Sequence, residues 1–306
     1  MEIFKKLSEQ KRYLETLGYE VLYIGLIGSQ NYGLDDDHSD IDSRAIVLQN
    51  LNQLIKKEKI SVKVEHEYGQ IDVKDVMTFY EVIRKGNFTF LESVQTKYYI
   101  GDKYIRTLFG GIELNLRGLK GDMYNKAEDF KSLNSSKKYE MDTWGYEPKQ
   151  LHHMFRMLSL MEHVAFDLKD GENNSFIDYN QSPDRQDEKK WLLEVKRNTN
   201  NIIDTFPKEF IDITSTDTIK RWIDEKTSRI ITKDYKYEPC ERTEEVAKYI
   251  HDKLKVSMYK GEVSFVRQHR TFDQSVPKAD LLKFDKLKEL DGTDFVYVVY
   301  ESLEIL

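Results

Sequence analysis

Seven consecutive residues, Val21-Leu22-Tyr23-Ile24-Gly25-Leu26-Ile27, form an apolar run that stops abruptly at Gly28-Ser29. A short run of this kind, closed by a turn signal, reads as a buried strand. Such a strand needs cover on both faces, so the chain must build a sheet with helices packed against it. The material is at hand. Ile3, Phe4, Leu7, Leu14 and Leu17 share one face of a helix predicted over 3–17, with Gly18 as its stop. Asp40-Ile41-Asp42-Ser43-Arg44-Ala45-Ile46-Val47 reads as a second strand and Gln70-Ile71-Asp72-Val73-Lys74 as a third. Glu65-His66-Glu67 reads as a solvated hairpin between strands. Asp75 is placed to cap a helix that runs to about Lys85 and closes at Gly86, and Asn87 to cap another over Phe88–Val94.

Beyond about residue 103 the pattern turns helical. Asn134-Ser135-Ser136-Lys137-Lys138 and the stretch Asp170–Glu188 read as loops. Helices are predicted from about Pro148 to Leu168, around Trp191–Ile203 ahead of Pro207, and over Thr243–Val256. A last strand, Phe295–Tyr300, is entered through the turn Asp291-Gly292. The chain of 306 residues thus divides into an α/β core at 1–110, a helical region at 111–205 and a C-terminal region at 206–306 to which no role attaches.

Composition narrows the function classes. One cysteine, Cys240, excludes an intramolecular disulfide framework and a cysteine-built zinc site. The opening MEIFKKLSEQ holds no apolar stretch suited to a signal peptide, and no run approaches a membrane span, so the chain is expected to be soluble and cytoplasmic. A formal charge of −7 excludes a uniformly basic nucleic-acid coat but not a local basic groove.

The chemistry concentrates in Gly28-Ser29-Gln30-Asn31-Tyr32-Gly33-Leu34 and Ser39-Asp40-Ile41-Asp42. On a strand, Asp40 and Asp42 face the same way, about 7 Å apart. Two hard oxygen ligands at that spacing suit a divalent cation, Mg²⁺ or Mn²⁺. Backbone N–H groups and the Ser29 hydroxyl at a strand end can hold a phosphate. Together these are the requirements of phosphoryl transfer. Taken singly, an Asp-x-Asp pair is a solvated strand face and Gly-Ser a turn. There is no Walker A motif, no Rossmann glycine fingerprint and no EF-hand spacing around Asp35-Asp36-Asp37.

The combination resembles the nucleotidyltransferase superfamily typified by DNA polymerase beta. More narrowly, Gly28-Ser29, Tyr32-Gly33-Leu34 and Ser39-Asp40-Ile41-Asp42-Ser43-Arg44 resemble the RNA-repair-pathway DNA polymerase beta family of predicted nucleotidyltransferases. Lys85-Gly86-Asn87 followed by Leu91-Glu92 matches a segment of that family, with Phe88 where proline is common. Gly145-Tyr146-Glu147-Pro148-Lys149, then His153 and Arg156, is similar to its later helix. The likeness covers residues 20–168. It implies a small mixed β-sheet flanked by helices and a mainly helical region after it. It implies that Asp40 and Asp42 bind metal, and that Gly28, Ser29 and Arg44 serve the nucleotide. It also implies a third acid on a later strand, metal ligand or general base, for which Asp72 is the candidate.

Helical geometry bears separately on 149–168. Leu151, Met154, Phe155, Leu158, Met161, Ala165 and Leu168 form one apolar stripe, while Lys149, His152, His153, Arg156 and His163 fall within roughly 100° on the other side, with Leu160 among them. A solvated basic face is one reading. A phosphate-facing wall is the other, with His153 and Arg156 turned into the catalytic cleft and Lys149 extending the positive charge. A zinc site is disfavoured, because His152 and His153 diverge by about 100°.

The sequence therefore points to a Mg²⁺- or Mn²⁺-dependent transfer of a nucleoside monophosphate from an NTP to a hydroxyl, with pyrophosphate released and an RNA end as acceptor. A protein or small-molecule acceptor is the alternative, which the acidic charge favours. A catalytically idle nucleotide-binding or antitoxin-like module is the third reading.

Overall fold

A computed structural model describes residues 2–35, 39–130, 138–167, 176–198 and 216–254. Asn134–Lys137, Leu168, residues 170–175 of the loop expected at 170–188, the end of the helix expected to reach 203, Pro207, Val256 and the strand at 295–300 lie outside the described residues.

The N-terminal helix α1 (Glu2–Thr16) leads into β1 (Glu20–Leu26). A single turn, α2 (Ser29–Tyr32), follows at the strand's end, and then come β2 (Ser43–Leu48), α3 (Leu51–Ile55), β3 (Ser61–His66) and β4 (Gly69–Asp75). Helices α4 (Val76–Ile83) and α5 (Phe88–Gln95) precede the short β5 (Tyr99–Gly101) and α6 (Lys103–Phe109). The strands form one mixed sheet in the order β3-β4-β2-β1-β5, in which only β2 and β4 are parallel. The expected caps are in place: Asp75 accepts the Thr78 N–H at 2.8 Å and Asn87 the Thr89 N–H at 3.1 Å. The hairpin at Glu65-His66-Glu67 also forms.

Alternation sorts the sheet's two faces. Ile24, Leu26, Ala45, Val47, Ile71 and Val73 bury against Leu7 and Leu14 of α1. Leu22, Ile46 and Leu48 face the other way, toward α4, α5 and the helices beyond. Those helices are α7 (Leu116–Phe130), α8 (Lys138–Trp144), α9 (Pro148–Glu162), α10 (Gln186–Arg197), α11 (Thr216–Thr227) and α12 (243–254). The fold is thus α+β, as expected: a small mixed sheet flanked by helices, followed by a mainly helical region. Ile219 and Ile223 of α11, and Val246, Ile250 and Leu254 of α12, join the same hydrophobic cluster as the sheet.

Two elements differ from expectation. The second strand begins at Ser43, so Asp40 and Asp42 lie in the extended segment leading into it. That segment is held by bonds from outside the ladder, described below. The helix predicted to Leu168 ends at Glu162 and passes into a π-turn, His163–Asp167. It is also buried on most of its circumference, since α7, α10 and α11 all pack against it.

Candidate active site

The site forms at the carboxyl end of β1. Gly28 adopts φ 78° and ψ −164°, a conformation that disfavours any side chain. The chain therefore turns at once into α2. A Cβ on Gly28 would lie 3.7 Å from Asp42 Oδ2, so the Gly-Ser turn and the second aspartate stand side by side.

The Asp40-Ile41-Asp42 segment is pinned from several directions. Ile27 N–H donates to Asp42 O at 2.9 Å, and Ile41 N–H to Tyr68 O at 2.6 Å. The buried Gln10 of α1 donates to Ile41 O at 2.9 Å. Gln70 N–H donates to Asp42 Oδ1 at 3.0 Å. Gly69 closes the arrangement: at φ 144°, it has no room for a Cβ, which would lie 2.8 Å from the Ile41 backbone. Asp40 is exposed and Asp42 half-buried.

Asp72 stands on β4 directly beside Arg44 of β2. It is an ion-paired carboxylate. Arg44 Nε reaches Oδ2 and Lys74 Nζ reaches Oδ1, both at 2.8 Å. Burial alone would raise the Asp72 pKa, but Arg44 and Lys74 outweigh it and hold the carboxyl below its usual range. Arg44 is itself buried, stacked 3.9 Å from the Phe90 ring centroid and hydrogen-bonded to Thr89 O. It is thus committed to Asp72 and α5, where the sequence suggested a nucleotide contact.

The donor set fits a hard cation at Asp40 and Asp42. Asp42 spends one oxygen on Gln70 and turns the other toward the Gly28 turn. Mg²⁺ is commonly held by one or two carboxylates and completes its shell with water and substrate phosphates. Among the described residues no group of three His, Cys, Asp or Glu gathers as a metal set, consistent with Asp72 being engaged by Arg44 and Lys74.

The polar face of α9 is neither a solvated stripe nor an open cleft wall. Arg156 is 8% exposed, with its guanidinium 3.8 Å from the Tyr32 centroid and 4.9 Å from that of Phe88. It sits behind α2, because α5 and α9 close around that turn. His152 is buried, with Nδ1 2.9 Å from Leu192 O, and burial pushes its pKa down to about 3. Burial, then the Arg156 charge, takes His153 well below the ordinary histidine value, so it is neutral at pH 7. Lys149 is exposed.

Three positioning groups carried no assigned role in the sequence. Glu92 is buried and accepts the Gly28 N–H at 3.3 Å. Its only signal was its place after Leu91 in the Lys85-Gly86-Asn87 segment. Gln10 holds the aspartate segment from α1, with no motif to mark it. Lys196 of α10 reaches Leu34 O at 3.1 Å and Ser39 Oγ at 3.4 Å, linking the helical region to the residue before Asp40.

Comparison with known families decides what this geometry belongs to. A model of the RNA repair pathway DNA polymerase beta family matches residues 2–249. The chain belongs to that family. The match extends well past the residues 20–168 in which the motifs are visible and takes in α11 and most of α12. No curated protein matches the sequence. Family membership makes this a DNA polymerase beta-like protein of an RNA repair pathway. No helix among the described residues is long and apolar enough to cross a membrane.

Proposed function

We infer that this family member is a nucleotidyltransferase that moves a nucleoside monophosphate from an NTP to a hydroxyl, releasing pyrophosphate, with an RNA end as the acceptor. The observation that supports the reading is the closeness of the Asp42 carboxylate to the Gly28-Ser29 turn, where a Cβ on Gly28 would lie 3.7 Å from Oδ2. Asp40 and Asp42 would hold Mg²⁺ or Mn²⁺, which supplies charge neutralisation for the triphosphate and the leaving pyrophosphate.

The protein's own groups do the rest. Ser29 offers its hydroxyl and backbone to the phosphates. Lys149, exposed in the first turn of α9, contributes positive charge. Asp72 stays anionic between Arg44 and Lys74. A carboxylate held below its usual pKa is a weak base at neutral pH. In this reading Asp72 therefore orients the acceptor hydroxyl and does not take up its proton, which passes to bulk water as the acceptor oxygen bonds to the α-phosphorus and pyrophosphate leaves.

The net charge of −7 favours a second reading, in which a protein side chain or small molecule is the acceptor, because RNA affinity leans on phosphate neutralisation. Incubation with each α-labelled NTP, with and without RNA, separates the readings. Label on RNA supports the first. Label on protein or on a small acceptor supports the second. Binding without transfer points to an idle nucleotide-binding module.

A further inference from the structure

Two opposite charges are buried behind the Gly28-Ser29 turn, and neither has a role in the chemistry above. Glu92, 5% exposed, accepts the Gly28 N–H through Oε1, while its Oε2 has no hydrogen-bond partner among the described residues. Arg156, 8% exposed, is stacked on Tyr32 and Phe88, and its Nε likewise has none among the described residues. Phe88 and Glu92 are one turn apart on α5, so the guanidinium and the carboxylate occupy the same side of that helix.

The space beside Arg156 limits what it can touch. The cavity bordered by Tyr32, Phe88, Arg156, Phe176 and Tyr179 holds about 10 Å³, enough for one water and too small for a phosphate. Arg156 therefore meets no substrate from that side, and its charge falls on Glu92. A buried carboxylate without a cation nearby takes up a proton and becomes a weaker acceptor. The Gly28 peptide, at its unusual φ of 78°, would then lose the charge-assisted bond that holds it.

We propose that Glu92 and Arg156 form a positioning pair in which the Arg156 charge partly offsets the burial of the Glu92 carboxylate and the ionised Glu92 fixes the Gly28 peptide, so that the turn is preset for the triphosphate without either side chain touching it. The proposal rests on the nucleotidyltransferase reading of the site. The charged and titratable groups around Glu92 are few: Arg156 from α9 and the Gly28 N–H from the turn act on it directly, and Tyr179 acts on Arg156. Burial raises the Glu92 pKa to about 7 against the pull of Arg156, so the pair titrates in the working range.

The test is a double-mutant cycle read as kcat and KM for the NTP from pH 5.5 to 9, on the full chain. Glu92→Gln keeps an oxygen acceptor without the charge. It should lower kcat/KM several-fold and abolish the activity step near pH 7. Arg156→Met should move that step to higher pH. The double variant should match Glu92→Gln within roughly twofold at every pH, because Arg156 acts only through Glu92. A double variant tenfold or more below Glu92→Gln would mean that Arg156 contacts substrate itself, and the proposal fails. A wild-type pH profile retained in Glu92→Gln also overturns it. If Arg156→Met does not fold, the double variant still decides, since it leaves no ionisable carboxyl unpaired. If the wild-type protein transfers no label, the nucleotidyl-transfer reading falls instead, and the same comparison is made with the Kd for each NTP.

Discussion

Arg44 and Asp72 face each other across the parallel strands β2 and β4 and share an ion pair of 2.8 Å, with side chains only 7% and 14% exposed. Breaking a pair this deeply set leaves a carboxylate with part of its compensation gone. Arg44→Met should destabilise the protein by about 3 kcal/mol, measured by urea unfolding. Arg44→Lys should recover only part of the loss, because a lysine reproduces neither the flat stacking on Phe90 nor the second bond to Thr89 O. Stability unchanged in Arg44→Met would show that the pair contributes nothing net.

Asp42→Asn keeps an oxygen to accept the Gln70 N–H while removing the anionic charge. The variant should melt near the wild-type temperature and lose roughly a hundredfold or more in kcat, about 3 kcal/mol of barrier. Asp40→Asn, at an exposed position, should behave alike. Excess chelator should silence the wild-type protein, and Mg²⁺ or Mn²⁺ should restore it. Near-normal turnover in both variants, or full activity in chelator, would contradict the assignment.

Gly69→Ala tests the fastening of the aspartate segment. The new methyl would lie 2.8 Å from the Ile41 backbone, at a φ of 144° that only glycine tolerates well. The expected cost is about 2 kcal/mol of stability. Activity should fall further than the loss of folded protein accounts for, because the collision displaces the residue between the two acids.

Stability against pH should carry two opposite signatures. Glu92 has its folded pKa raised from 4.5 to about 7, so the folded state holds that proton more tightly than the unfolded chain. Its contribution is whole below pH 4.5 and declines as pH rises to 7, by a total of about 3 kcal/mol. Asp72 has its folded pKa lowered, so its contribution is present above its unfolded value of 3.8 and is lost as pH falls. Thermal melts from pH 3 to 8 should therefore show the wild type losing ground to Glu92→Gln between pH 4.5 and 7. A constant gap between the two would refute the raised Glu92 value.

The readable parts of the sequence were those where polarity interrupts an apolar pattern. Gly28-Ser29 ends a buried strand, Asp40 and Asp42 flank the core residue Ile41, and Asp75 and Asn87 open helices that they do cap. Glu92 was legible only as a motif letter. In Phe88-Thr89-Phe90-Leu91-Glu92-Ser93 a glutamate looks like the wet face of a helix, and only the packing of α5 on β1 at Gly25 buries it. A Cβ at Gly25 would meet Ser93 O at 2.1 Å, which shows how close the two elements run. Helix α9 misled for a related reason. Helical periodicity separates two faces, but it does not say that α7, α10 and α11 cover both. Strand pairing also sets in three residues later than alternation suggests, since a side chain from α1 and the Tyr68 carbonyl hold the aspartates where the ladder does not.

Helix α12 returns to the part of the molecule built first. Tyr249 and Lys253 bind the Asp102 carboxylate at 3.0 and 2.6 Å, and Arg242 N–H reaches the Tyr80 hydroxyl at 2.7 Å, across about 150 residues of chain. During synthesis, Gly28, Asp40, Asp42 and Asp72 all emerge long before these partners do. The sheet that carries them must wait with α4 and α6 partly uncovered, and contacts so distant in sequence close slowly. The half of this protein that carries the candidate site thus matures late, and a nascent chain stalled before α12 would display its acids on an unfinished core.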